Sequence, residues 1–171
     1  RLMIVPRSVP AIGRPRNQGR PIAGTDRGTI INLAALADGE VLNVNAAHYD
    51  KPSAACSDVV AEQPYQAWFG LEFDTPREIR ELKAFPAELG AIFYSSPALE
   101  NLARDYVLEY LDGWAWREIH GTRVVNNDAF PIVQRFAPIR TTRIRMVITR
   151  VDQDARRTDK YRVSMQEMEV N

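Results

Sequence analysis

The sequence predicts an all-β protein, an antiparallel sandwich or barrel, from three observations. Apolar residues alternate with period two in several short runs, the pattern of strands with one buried face. Turn residues separate those runs at short intervals. No segment sustains the periodicity of a long amphipathic helix.

In chain order, residues 1–28 read as an irregular arm. Pro6, Pro10, Pro15 and Pro21 interrupt every periodic run there, and Arg1, Arg7, Arg14, Arg16, Arg20 and Arg27 suit a solvated, partly extended segment, with an arm for nucleic acid or an anionic glycan as the alternative. The folded domain is expected over 29–171. Thr29–Leu36 (TIINLAAL) fits either a strand or one helical turn, and Asp38-Gly39 is a turn. Residues 41–66, rich in Ala, Asn, Ser and Asp, read as long loops with one short strand. Loops of that length in a compact domain are more often functional than merely connecting.

The pattern sharpens at Ala67. In AWFGLEFD, Phe69, Leu71 and Phe73 alternate with Trp68, Gly70 and Glu72, a full strand. Asp74-Thr75-Pro76 is expected to turn the chain into a second strand, REIRELKAFP, which carries Ile79, Leu82 and Phe85. Gly90–Tyr94 is a short strand, and Ser95–Ala103 a loop with room for a helical turn. In DYVLEYLDGWAWREI, Tyr106, Leu108 and Tyr110 alternate with Val107, Glu109 and Leu111, and Trp114 and Trp116 stand on the returning run. Asp112-Gly113 between these runs is a strong hairpin signal, because Gly tolerates positive φ and the turn's twist matches that of the strands.

Asn126-Asn127-Asp128 is a turn-rich loop, and Ile132, Gln134 and Phe136 mark a further strand. In Thr141–Arg150 (TTRIRMVITR), Ile144, Met146 and Ile148 alternate against Arg143, Arg145 and Val147, a strand with one wet face. In the closing segment Val163 and Met165 share one parity and Met168 and Val170 the other, which places a bulge near Gln166-Glu167. Each buried Phe, Leu or Ile contributes about 1.5–3 kcal/mol, so these sets suffice for a core.

At 171 residues the chain suits one well-cored domain. Its 22 Lys and Arg balance 22 Asp and Glu, which weighs against a role resting on phosphate neutralisation, so no nucleic-acid partner is expected. Cys56 is the single cysteine, so no intrachain disulfide can form. No apolar run approaches the ~18 residues of a membrane-spanning helix. The opening RLMIV is too short for a signal peptide, and a start at Arg points to a processed or excised piece. His48 and His120 are the only histidines, and no nucleophile-elbow, zinc-protease, phosphate-loop or Cys/His zinc motif occurs, so no catalytic residue is assigned.

The order of these runs resembles a known family. WFGLEFDTPREIRELKAF resembles the tryptophan, alternating-apolar and proline-turn segment of discoidin domains (F5/8 type C, also called carbohydrate-binding module family 32). DYVLEYLDGWAWREI resembles their central hairpin, TTRIRMVITR their arginine-bearing strand, VSMQEMEVN their closing strand and NLAALADGE their early Leu-x-Asp-Gly segment. The resemblance spans 29–171 and implies an eight-stranded jelly-roll sandwich of the galactose-binding-like fold. The lone cysteine departs from animal members, which tie their termini with a disulfide, so the bacterial type is nearer. Asp38-Gly39-Glu40 stands where many members have Asp-Gly-Asp.

The resemblance also implies one structural calcium, held by an early-loop aspartate and a late glutamate, here Asp38 and Glu167. Calcium takes ~6–8 oxygen ligands, so backbone carbonyls would supply the remainder. A ligand site is implied on loops at one end of the sandwich. A sugar needs an aromatic face and a few polar groups there. The candidates are His48 and Tyr49, Tyr94, Asn127 with Phe130, and Arg104 as a bidentate donor. Trp68, Trp114 and Trp116 sit in patterned runs and are expected to pack in the core or at an edge. The expected function is a non-catalytic carbohydrate-binding module, accessory to a neighbouring glycan-active enzyme domain outside the cell, in the periplasm or at the cell surface. The alternative is a structural or protein-interaction sandwich with no sugar ligand.

Overall fold

Two long antiparallel strands, β4 and β9, form the spine of the molecule. The computed structural model describes residues 19–37, 54–59, 61–92, 96–152 and 160–171, and within 88–100 the backbone alone. The strands in chain order are β1 (Arg20–Thr25), β2 (Ile30–Ile31), β3 (Ala55–Ser57), β4 (Ala67–Ala84), β5 (Glu88–Ile92) and β6 (Ser96–Glu100). They continue with β7 (Ala103–Asp112), β8 (Ala115–Glu118), β9 (Ile132–Val151), β10 (Ser164–Met165) and β11 (Met168–Val170). A 3-10 turn covers Leu33–Ala37.

The main sheet runs β1-β4-β9-β7-β8, with β11 pairing the far end of β4. A second sheet has the order β10-β3-β2, and β5 pairs with β6. Every strand pairing among the described residues is antiparallel. The all-β sandwich that the sequence predicts is therefore what the chain forms. Phe69 and Leu71 on β4, Ile144, Met146 and Ile148 on β9, and Tyr106 and Leu108 on β7 face inward. They meet Leu36, Ala55, Val163 and Met165 from the opposite layer in one core cluster. Phe69, Leu71, Leu108, Ile144, Met146 and Ile148 are completely buried.

Several elements differ from the expectation. Asp74-Thr75-Pro76 does not reverse the chain: the register steps from Glu72↔Arg143 to Arg77↔Thr141, so those residues bulge out and the strand resumes on the same partner. A bulge accommodates Pro76, whose missing N–H has no ladder bond to lose there. The two strands expected either side of Pro138 are one strand, β9. Ser96–Glu100 is strand rather than loop. Arg20–Thr25, read as part of the arm, is an edge strand on β4. Thr29–Leu36 holds both options at once, a two-residue strand followed by the 3-10 turn.

The hairpin forms one residue later than Asp112-Gly113. Asp112 pairs with Ala115, so Gly113 and Trp114 are the loop, with Gly113 at φ 62°. The parity switch at Gln166-Glu167 marks a change of sheet. β10 pairs with β3, β11 pairs with β4, and Phe85 exchanges backbone bonds with both intervening residues.

Candidate functional site

The expected site residues divide into three groups. Asp38, His48, Tyr49 and Tyr94 lie outside the described residues. Arg104, Asn127 and Phe130 come together where the loop after β8 folds back on the start of β7. Glu167 is wholly buried at the change of sheet, beside Gln166, whose Oε1 is buried without a hydrogen-bond partner among the described residues.

Arg104 and Asn127 interlock through the backbone. Arg104 donates from Nε to Asp152 Oδ1 at 2.6 Å and from a terminal nitrogen to the Asn127 carbonyl at 2.6 Å. Asn127 Nδ2 donates to the carbonyls of Ala103 (2.9 Å) and Ala129 (3.0 Å), and its Oδ1 accepts from the Ala129 amide. Next door, Arg150 grips Asp105 through two nitrogens at 2.8 and 2.7 Å, and the Asn126 amide donates to the same carboxylate at 2.8 Å. The Arg150 bond, backed by the Asn126 amide, holds the Asp105 carboxyl below the usual carboxylate range. Phe130 packs edge-on against Phe85 at 5.7 Å. Most of these bonds fix the loop, and the second terminal nitrogen of Arg104 has no bond among the described residues.

A different constellation stands on the outward face of the main sheet. Cross-strand pairs share a face, so the register lists its members: Trp68 and Gly70 on β4, Arg145 and Val147 on β9, Val107 and Glu109 on β7, and Trp116 on β8. None of the three tryptophans belongs to the core. Trp114, expected to pack, is fully exposed at the tip of the hairpin. Trp68 and Trp116 are half-buried, with ring centres 6.3 Å apart and planes inclined at 46°.

Arg145 lies against both rings. Its guanidinium lies 4.0 Å from the Trp116 ring centre and 5.2 Å from that of Trp68. Its Nε and Nη2 both donate to Glu109 Oε2, at 2.8 and 2.6 Å. Gly70, directly opposite Arg145, leaves no room for more: a Cβ there would stand 2.9 Å from Arg145 Cβ. Beside this stack opens a cleft of about 330 Å³, lined by Thr25, Asp26, Gln66, Trp68, Glu109, Arg145 and Val147. The Asp26 amide donates to the Gln66 carbonyl at 3.1 Å, and the Gln66 amide donates back to Asp26 Oδ1 at 3.2 Å.

The chemistry of this cleft is an aromatic wall, an apolar floor at Val147, and hydroxyl, amide, carboxylate and guanidinium groups around the rim. Small-ligand clefts combine these features at ~300–1,000 Å³. Sequence reasoning did not single out this cleft because it combines outward-facing residues of β1, β4, β7 and β9 with Asp26 and Gln66 beside them. The usable signal was parity: Trp68, Glu109 and Arg145 each alternate against core residues within their own run.

No family model matches the sequence, and no curated relative matches it. Solved structures do match. A CBM32 module from Clostridium perfringens, in complex with GalNAc-β-1,3-galactose, aligns with a TM-score of 0.57 at 16% identity, over 88% of this chain and 94% of that one. The fold is the β-sandwich of family 32 carbohydrate-binding modules. The family 32 module of EndoD from Streptococcus pneumoniae aligns with a TM-score of 0.56 at 13% identity, over 91% of this chain and 99% of that one. A putative α-L-fucosidase from Bacteroides thetaiotaomicron contains the same fold, with a TM-score of 0.54 at 14% identity, over 88% of this chain and 26% of the enzyme.

Proposed function

We propose that the protein is a non-catalytic carbohydrate-binding module that holds a sugar in the cleft on its outward sheet face. The observation that carries this is the cleft's lining, with Trp68 as the wall and Asp26, Gln66, Glu109 and Arg145 converging on it. A pyranose ring offers an apolar face for the indole and hydroxyls for the rim. The fold supports the reading, because structures sharing it include a module in complex with a disaccharide. A module of this kind serves a larger glycan-active enzyme outside the cell, and the fucosidase that contains the fold as a quarter of its chain supports that arrangement.

A structural calcium belongs to the same proposal. Glu167 and the buried Gln166 Oε1 offer oxygen donors at the change of sheet. Asp38 and neighbouring carbonyls would complete the shell that calcium requires. Calcium there would pin the closing strand to the early loop and would take no part in binding.

The alternative reading, a protein-interaction sandwich, draws on the fully exposed Trp114. The polar rim around Trp68 counts against it, since a docking face would present a flat apolar patch. Screening the protein against a broad glycan panel, with calcium and with chelator, separates the two. The expected outcome is binding to a subset of glycans that Trp68→Ala abolishes; a silent panel would contradict the reading.

A further inference from the structure

The Glu109–Arg145 pair is more deeply buried than the other ion pairs of the main sheet, of which Arg150–Asp105, at 39% and 23% exposed, comes nearest. Arg20–Glu72, Arg135–Glu81 and Arg117–Asp112 keep their arginines mostly in solvent, with side chains 73%, 78% and 62% exposed. Such pairs contribute little to stability. Arg145 and Glu109 are 18% and 22% exposed. Arg145 also lies against two indole rings, across from Gly70, where a side chain would collide with it. A long side chain held this firmly has already lost its rotamer freedom before any ligand arrives.

The pair is also half used. Both arginine bonds run to the same oxygen, Glu109 Oε2. Among the described residues, Arg145 Nη1 and Glu109 Oε1 carry no hydrogen bond. Both residues line the cleft together with Trp68. A guanidinium only donates and an ionised carboxylate only accepts. The pair therefore keeps one strong donor and one strong acceptor in a cleft that Trp68 also lines.

We propose that the Glu109–Arg145 pair determines specificity by reading two adjacent hydroxyls of a neutral sugar stacked on Trp68. One hydroxyl accepts from Arg145 Nη1, and its neighbour donates to Glu109 Oε1. Trp116 touches the pair and not the cleft, so it is a positioning residue. The pair cancels its own charge, and Asp26 adds one negative charge to the rim. Uronic acids and sulfated sugars are disfavoured for that reason. This inference rests on the carbohydrate-binding reading and deepens it.

The test is calorimetric titration of the whole chain with galactose, glucose, mannose and N-acetylgalactosamine, then with the monodeoxy and uronic acid forms of whichever binds. Charge-assisted bonds of this kind lose about tenfold to a hundredfold in affinity when one partner is removed. That loss is expected for Glu109→Gln, for Arg145→Lys and for removal of either adjacent hydroxyl. Combining Glu109→Gln with the deoxy sugar should cost no more than either alone, a non-additivity that a purely structural role would not give. The deoxy and uronic acid series on the unaltered protein needs no variant to fold. Binding that is unchanged by both variants and by every single deoxygenation overturns this inference and leaves the carbohydrate-binding reading standing. Failure of the unaltered protein to bind any sugar overturns both.

Discussion

At Gly24, the Trp68 indole occupies the space where a side chain would be. A Cβ on Gly24 would stand 2.7 Å from Trp68 Nε1, inside any real contact. Gly24→Val should therefore push the indole off its seat while β1 stays paired to β4. The expected result is a changed tryptophan emission spectrum and at least a tenfold loss of glycan affinity, with the fold intact by circular dichroism. Asp105 makes a second prediction. Its carboxyl is held below the ordinary value by the Arg150 bond and then by the Asn126 amide. A depressed carboxyl contributes stability above its unfolded value of about 3.9, and that contribution is lost as pH falls through the folded value. Thermal stability measured from about pH 5 downward should fall less steeply in Asp105→Asn than in the unaltered protein. Residue roles were the least legible part of the sequence. Trp68, Trp114 and Trp116 look equivalent in their runs, yet one walls a cleft, one tips a hairpin and one backs an arginine. Those differences depend on which strands lie beside each, and a single strand's periodicity carries no information about its neighbours.

Among the elements, β4 shows what periodicity gives and what it omits. The alternation of Phe69, Leu71 and Phe73 identifies the buried face correctly. The turn signal at Asp74-Thr75-Pro76 is chemically real, but the ladder to β9 resumes beyond it and absorbs the residues as a bulge. Pairing partners, which local sequence does not specify, decided between turn and bulge. Likewise Asp112-Gly113 announced a hairpin whose loop is Gly113-Trp114. Gly at the first loop position with positive φ suits a two-residue turn, and the strand register shifts by one to exploit it. At Gly70 on β4 an added Cβ would lie 2.3 Å from the Ile144 carbonyl oxygen, a backbone atom of β9. Gly70→Ala should destabilise the fold by about 1–3 kcal/mol, because the spine must separate to admit it. Urea denaturation measures the loss, and an unchanged midpoint would show that the two strands give way freely.

For the whole molecule, the all-β sandwich was legible because many alternating runs agree, and consistency across runs is what specifies a fold. The candidate cleft was not, because it draws on outward-facing residues of β1, β4, β7 and β9, which alternation marks only as wet. The change of sheet at Gln166-Glu167 was half legible: the parity switch located it, while the destination of each half came from pairing. If calcium binds there, adding it at a hundredfold over its dissociation constant should stabilise the protein by about 2.7 kcal/mol. Chelator should then lower the melting temperature, with Glu167→Gln abolishing the difference. The central claim, that a sugar lies on the outward sheet face, is tested most directly by the indole N–H signals in a nitrogen-15 correlation spectrum. The chain has three tryptophans. Titration with a binding glycan should shift the Trp68 signal to saturation and leave Trp114 in place; saturable binding that leaves the Trp68 signal unmoved would contradict the account.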